Sequence, residues 1–440
     1  MKAVKLSLVI MAAALVTIGL SGMAYAFHEG GVATCDGCHT MHNSVGGVKA
    51  AQKGLSGKAA QYTGNQSLLI GTDQSSTCLF CHASKAASAS SYHVFTSDAK
   101  QGTQVPANYT PGGDFAWLTF TYTATSDMHT AAVLGERHGH NVVATDFSGL
   151  ALPDSTLHTA PGGTYSANNL SCISCHDPHP SARINASGTL VYRGGAGSTP
   201  GPIIGSGSTG AIPTGTDTVG VYRLLGGKSY LPKSYAGGPA FNYDPPFAVA
   251  PSSYNRQETS TDTRVAYGQG MSEWCTNCHT AIHNDSLSSN LIHPASNAAV
   301  LKGSIVDAYT NYNMYVKSGD LSGTSANSYT SMVPYEEHTS DRVALAKHAV
   351  SDGSVIGGPN GGSENVMCLS CHRAHATGFD HMTRWDNDFE FITESSAYPV
   401  SATATSIYNK TEYPAAMYGR PPSMYATFQR SLCNKCHVKD

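Results

Sequence analysis

The stretch Cys172-Ile173-Ser174-Cys175-His176-Asp177-Pro178-His179 decides how this chain is read. Cys172, Cys175 and His176 stand at i, i+3 and i+4, positions that share one face of a helical turn. Two thiols so placed can reach the two vinyl groups of a haem as thioethers. The next imidazole then meets the iron from the same side. Cys-x-x-Cys-His is the attachment signal of c-type haem. It recurs at Cys35, Cys38 and His39, at Cys78, Cys81 and His82, at Cys275, Cys278 and His279, at Cys368, Cys371 and His372, and at Cys433, Cys436 and His437. The six motifs use all 12 cysteines. None is left for the disulfides that an exported chain with an even cysteine count first suggests. Zinc sites would not demand a histidine after every second cysteine.

The rest of the chain agrees with that reading. Residues 1–26 carry Lys2 and Lys5, an apolar run from Leu6 to Leu20, and Ala24-Tyr25-Ala26 at a small-x-small cleavage position. They predict a signal peptide, leaving a mature unit of 27–440. No later stretch is apolar enough for a membrane span. Only 13% of residues are charged and the net charge is −4, against a usual charged share of about 25%. That excludes a coiled coil and a basic nucleic-acid binder. With 45 Gly, 21 Pro and 40% apolar residues, the chain looks short of core, and six haems would fill it.

Six of the 20 histidines serve as proximal ligands, leaving 14. A six-coordinate iron needs one more ligand, and surplus histidine is more economical than the nine methionines after residue 26, which would raise the potential. His42, His179 and His375 each follow a proximal histidine by three residues, and His283 follows one by four. A histidine so close cannot reach the opposite face of its neighbour's haem. If it binds iron, it binds another haem and ties the two together. His28, His93, His140, His293 and His348 are further candidates in turn-like contexts, whereas His129, His138, His158, His338 and His381 read as loop histidines.

Motif starts are 43, 94, 103, 93 and 65 residues apart and the text between them does not repeat, so a regular solenoid is excluded. Thr110-Pro-Gly-Gly113, Thr159-Ala-Pro-Gly-Gly163 and Gly194 to Gly215 are turn signals. The predicted fold class is mostly coil with short helices and few strands, organised as one unit around a continuous chain of haems. Helices are predicted at each motif, at 300–318 and at 335–350, and strands near 118–123 and 219–225. The 23 tyrosines are expected to seal haem edges with their tips in water.

Phe27 to Ser44, Gly135 to Asn141, Cys172 to His179, Arg264 to Cys275, Cys368 to Ala376 and Leu432 to Asp440 resemble the hexahaem outer-surface cytochromes of metal-reducing bacteria, which polymerise into conductive filaments. The resemblance runs over nearly the whole mature chain. It implies six covalent haems c, each with two histidine ligands, in alternating parallel and T-shaped contacts. It implies that His42 is given to the haem on Cys368 and Cys371 of the next subunit, and it favours His348 as a ligand.

Extracellular electron transfer through an open helical filament of identical subunits is therefore the leading expectation, with low charge easing subunit stacking. Upstream electron-donating cytochromes and extracellular acceptors such as Fe(III) oxides would be its partners. No nucleic acid, no membrane span and no catalytic residue are expected. A monomeric periplasmic shuttle is the alternative. A multihaem oxyanion reductase would need an iron with an open position, and the sequence offers no altered motif.

Overall fold

The computed structural model describes residues 35–39, 44–45, 48–49, 68–85, 92–126, 129–193, 201–235, 237–251, 257–258, 263–282, 294–315, 333–352, 354–355, 359, 363–399, 411–425, 427–431, 433 and 436. The segment 1–26 and His28, His42, His283, His293 and His437 lie outside them. Among the described residues, no helix is long and apolar enough to cross a membrane.

Coil dominates, as the Gly and Pro content predicts. The described strands form small sheets of two or three strands; the longest hairpin pairs Tyr122–Ser126 with His129–Val133. Helical turns start at Cys35, Cys172 and Cys368, helix Gln74–His82 carries the second motif, and helix Met271–Cys275 ends on the first cysteine of the fourth. The 300–318 expectation becomes helix Ser304–Tyr315. The 335–350 expectation shrinks to Arg342–His348. There the Asp341 carboxylate accepts from the amides of Val343 and Ala344 and starts the helix late. Glu336 upstream is instead bridged to Tyr267 and Asn365. The predicted strand at 219–225 holds only over Val219–Gly220, because Arg223 and Leu224 turn left-handed. The strand near 118–123 gives way to a 3-10 turn, Phe115–Thr119, capped by Asp114, before the sheet begins at Tyr122.

The chain also has a core of its own. Phe115, Trp117, Phe120, Phe379, Trp385 and Tyr413 are buried in one cluster. The tyrosines differ from expectation in the same way. Tyr122, Tyr267, Tyr335, Tyr413 and Tyr418 are buried, and internal hydroxyls find carbonyls: Tyr418 donates to Thr110 O at 2.7 Å and Tyr230 to Ile173 O at 2.7 Å. A loop-rich chain leaves many carbonyls unpaired, and a tyrosine brings both apolar area and a donor to satisfy them.

Candidate haem-binding site

The six motifs form one row. Burial raises the Cys38 thiol, with Cys81 of the second motif adding to it. Cys78 of the second hydrogen-bonds Cys172 of the third. Cys175 of the third interacts electrostatically with Cys278 of the fourth, Cys275 of the fourth hydrogen-bonds Cys368 of the fifth, and Cys371 of the fifth interacts electrostatically with Cys433 and Cys436 of the sixth. None of the twelve is in a disulfide. Their sulfurs stand where thioether sulfurs would be in the haem-loaded chain.

Although the motif spacing does not repeat, the local geometry does. At the first motif Leu68 is left-handed (φ 52°), Leu69 bridges His39, and the Ile70 amide donates to Cys38 O at 2.9 Å. At the third, Leu224 (φ 52°), Leu225 against His176, and the Gly226 amide to Cys175 O at 2.8 Å do the same. At the fifth the set is Met382 (φ 60°), Thr383 against His372, and the Arg384 amide to Cys371 O at 2.8 Å. Each left-handed non-glycine costs about 1–2 kcal/mol, so the surrounding contacts must hold it. The linkers between odd motifs repeat too: Ser75 Oγ accepts from the Cys172 amide at 3.1 Å, and Ser272 Oγ from the Cys368 amide at 3.0 Å. Three two-motif modules result, joined by single serine hydroxyls onto cysteine amides; their turns are held by backbone bonds that constrain few side chains and so leave no sequence period.

Backbone carbonyls orient four of the proximal imidazoles. Nδ1 of His82 faces Tyr92 O at 2.9 Å, His176 faces Arg223 O at 2.7 Å, His279 faces Pro161 O at 2.9 Å and His372 faces His381 O at 2.9 Å. Among the other candidates, His140 Nδ1 faces Ala374 O at 2.7 Å and His375 Nδ1 faces Gly113 O at 3.3 Å. A carbonyl only accepts, so Nδ1 carries the proton and Nε2 keeps its lone pair, the arrangement that orients metal-bound histidine. Pro161 and Gly113 belong to the two Pro-Gly-Gly turns. Gly113 is itself left-handed (φ 96°), and a Cβ there would sit 1.9 Å from Ala376 O. Burial, then neighbouring histidines, pushes His375 down to about 3 and His140 down to about 4. Burial also lowers His176 and His372. Neutral imidazole is what a metal requires.

The histidines meet in pairs drawn from different motifs. Ring centroids are 6.0 Å apart for His39 and His179, 6.4 Å for His176 and His375, and 6.1 Å for His140 and His279. With a metal–nitrogen bond of about 2.0 Å and about 1.1 Å from nitrogen to ring centre, two imidazoles across one iron sit about 6.2 Å apart. The residues present therefore fit haem. His93 sits otherwise: it follows Tyr92, whose carbonyl orients His82, and precedes Val94, whose amide donates to His82 O at 2.8 Å. That places His93 in the segment that orients His82. His138, read from sequence as a loop residue, is fully buried with Nδ1 3.1 Å from Thr377 O. Its place in the Gly-Glu-Arg-His-Gly-His run carries no signal of burial. Also missed was a buried ionic cluster behind the fifth motif, in which Arg373 and Arg384 share Glu258.

A row of covalent attachment motifs wrapped in irregular chain, with histidines paired across motifs, defines a multihaem c-type cytochrome. No family model matches the sequence. Over 452 aligned residues the chain is 48% identical to the C-type cytochrome OmcS of Geobacter sulfurreducens, covering 100% of both. Its structure matches the Outer Membrane Cytochrome S filament of that organism with a TM-score of 0.80 at 47% identity, over 94% of this chain and 100% of the other. It matches the OmcS nanowires solved by cryo-EM with a TM-score of 0.81 at 46% identity, over the same shares. The chain belongs to the OmcS family of c-type cytochromes.

Proposed function

We propose that this chain conducts electrons outside the cell as one subunit of a head-to-tail cytochrome filament. The observation that carries this reading is the register of the paired histidines. His179, after the third motif, meets His39 of the first, and His375, after the fifth, meets His176 of the third. Each such histidine reaches back two motifs. His42, after the first motif, has nothing two motifs back in its own chain. Counted through six motifs per subunit, its target is the fifth motif of a neighbour, on His372. Among the described residues no histidine ring faces His372 as His179 faces His39. A ligand given this way makes a heterologous contact that does not close, and such contacts build open helical polymers.

The same module rule distributes the other ligands. His140 precedes the third motif and faces His279 of the fourth. By repetition His348, before the fifth motif, serves the sixth with His437, and His28, before the first, serves the second with His82. Twelve histidines then hold six covalent haems, and the rule leaves His93, His283 and His293 with no iron to serve. When bound, haem supplies one-electron exchange at its iron. The chain's residues fix the order of the sites and keep Nε2 unprotonated, and the paired histidines would hold each iron. Two strong ligands per iron leave no open position for an oxyanion, which favours a carrier over a reductase. Signal-directed export, upstream donor cytochromes and extracellular acceptors such as Fe(III) oxides complete the reading.

His42→Ala tests it. The variant is expected to keep six covalent haems per chain by pyridine haemochrome assay while forming no filaments in electron micrographs. Normal filaments from the variant would sink the trans-ligand reading.

A further inference from the structure

The ring of His348 is held differently from the other candidate ligands. Its Nδ1 lies 2.5 Å from Glu337 Oε2, a carboxylate, where His82, His140, His176, His279, His372 and His375 meet peptide carbonyls. Glu337 is itself fixed. Its Oε1 accepts from Arg264 Nη2 at 2.8 Å, and Arg264 Nη1 donates to His348 O at 2.9 Å, so one guanidinium ties the carboxylate to the backbone of the histidine it serves. The Glu337 amide donates to Tyr267 O at 2.8 Å and the Arg264 amide to Val350 O at 2.7 Å. Both side chains are largely buried, at 14% and 16% exposure, whereas that of His348 is 49% exposed. The carboxylate is thus packed in the wall and the imidazole opens outward.

Orientation alone does not require a carboxylate, since carbonyls achieve it at six other rings. A carboxylate is the stronger acceptor. It draws the Nδ1 proton toward itself and leaves the imidazole a richer electron donor at Nε2. A richer axial donor favours ferric over ferrous iron, so the potential falls. We infer that Glu337 is a positioning residue that lowers the reduction potential of the haem ligated by His348. The inference rests on the proposed reading of His348 as an iron ligand. By the module rule that haem sits on Cys433 and Cys436, at the end of the row, where electrons pass to the next subunit. Glu337 thereby sets the energy of the last site before the junction.

The test compares Glu337→Gln with His348→Ala in the full haem-loaded chain, by spectroelectrochemical titration and low-temperature EPR. His348→Ala is expected to convert one haem in six to high spin. If all stay low spin, the ligand reading fails and the inference with it. Glu337→Gln is expected to keep every haem low spin, to alter the EPR signal of one, and to raise that one's potential. A tenfold change in its ferrous-to-ferric ratio at fixed potential corresponds to about 59 mV for a one-electron couple. If His348→Ala yields its high-spin haem while Glu337→Gln titrates like the parent, the potential-setting role is overturned. It is equally overturned if Glu337→Gln itself turns a haem high spin, since Glu337 would then only hold the ring in place.

Discussion

Glu258→Gln is expected to destabilise the protein more than any exposed ion-pair change. Glu258 Oε2 lies 2.9 Å from Arg373 Nη1 and 3.5 Å from Arg384 Nη1, and both arginine side chains are 1% exposed. At an effective dielectric of about 20, these contacts are worth about 6 and about 5 kcal/mol before desolvation is subtracted. The isosteric amide keeps the volume and removes the negative charge that the two buried guanidiniums share. Breaking a buried pair in this way costs about 3–5 kcal/mol. The cluster also shapes the site. Arg373 lies between His372 and His375, with Cζ 3.6 Å over the Tyr418 ring and Nη1 3.1 Å from Pro111 O. Arg384 Nε donates to Leu369 O at 2.6 Å inside the fifth motif. Burial alone would raise the Glu258 carboxyl, but Arg373, Arg384 and Arg420 hold it below the usual range. A carboxylate with a depressed folded pKa contributes stability that is present above its unfolded value, about 4.3, and lost as pH falls through the folded one. The melting difference between parent and variant, followed by Soret and far-UV circular dichroism, should be full at pH 7 and narrow below pH 4. A difference worth less than about 1 kcal/mol at pH 7, or one that does not narrow in acid, would refute this account.

Two further outcomes follow from the site and its surroundings. His179→Ala should leave the haem on Cys35 and Cys38 with one axial ligand, giving one high-spin, carbon-monoxide-binding haem per chain in visible spectra; six unchanged low-spin haems would remove His179 from the ligand set. Glu336 is fully buried, its carboxylate accepting from the Met271 amide at 2.6 Å and from Asn365 Nδ2 at 2.8 Å, and burial pushes its carboxyl up to about 7. The folded chain therefore holds this proton between about pH 4.3 and 7, and stability falls as pH rises through that window. Glu336→Gln should raise the melting temperature at pH 8, removing a penalty on the order of 3 kcal/mol, and change it little at pH 4; equal shifts at both pH values would count against the buried proton.

The proposed haem chemistry is legible residue by residue. Thioether attachment needs two thiols and an imidazole on one turn, so the spacing of Cys172, Cys175 and His176 is a local requirement that sequence states outright. The placing of His179 and His375 away from the haems of their own motifs is equally local, because three residues cannot span a macrocycle. The excess of glycine and proline announced a coil-rich chain for the same reason. Which histidine faces which was not legible. His140 and His279 are 139 residues apart and meet through carbonyls of Ala374 and Pro161, and a carbonyl belongs to every residue, so it leaves no letter in the sequence. The same holds for the left-handed pairs at Arg223-Leu224 and His381-Met382, which ordinary side chains occupy because tertiary contacts hold them there. Covalent geometry names the proposed attachment points in the sequence alone; the order of the sites, their pairing and the electrostatics around them are decided by long-range backbone hydrogen bonds and burial, which exist only once the chain has closed on itself.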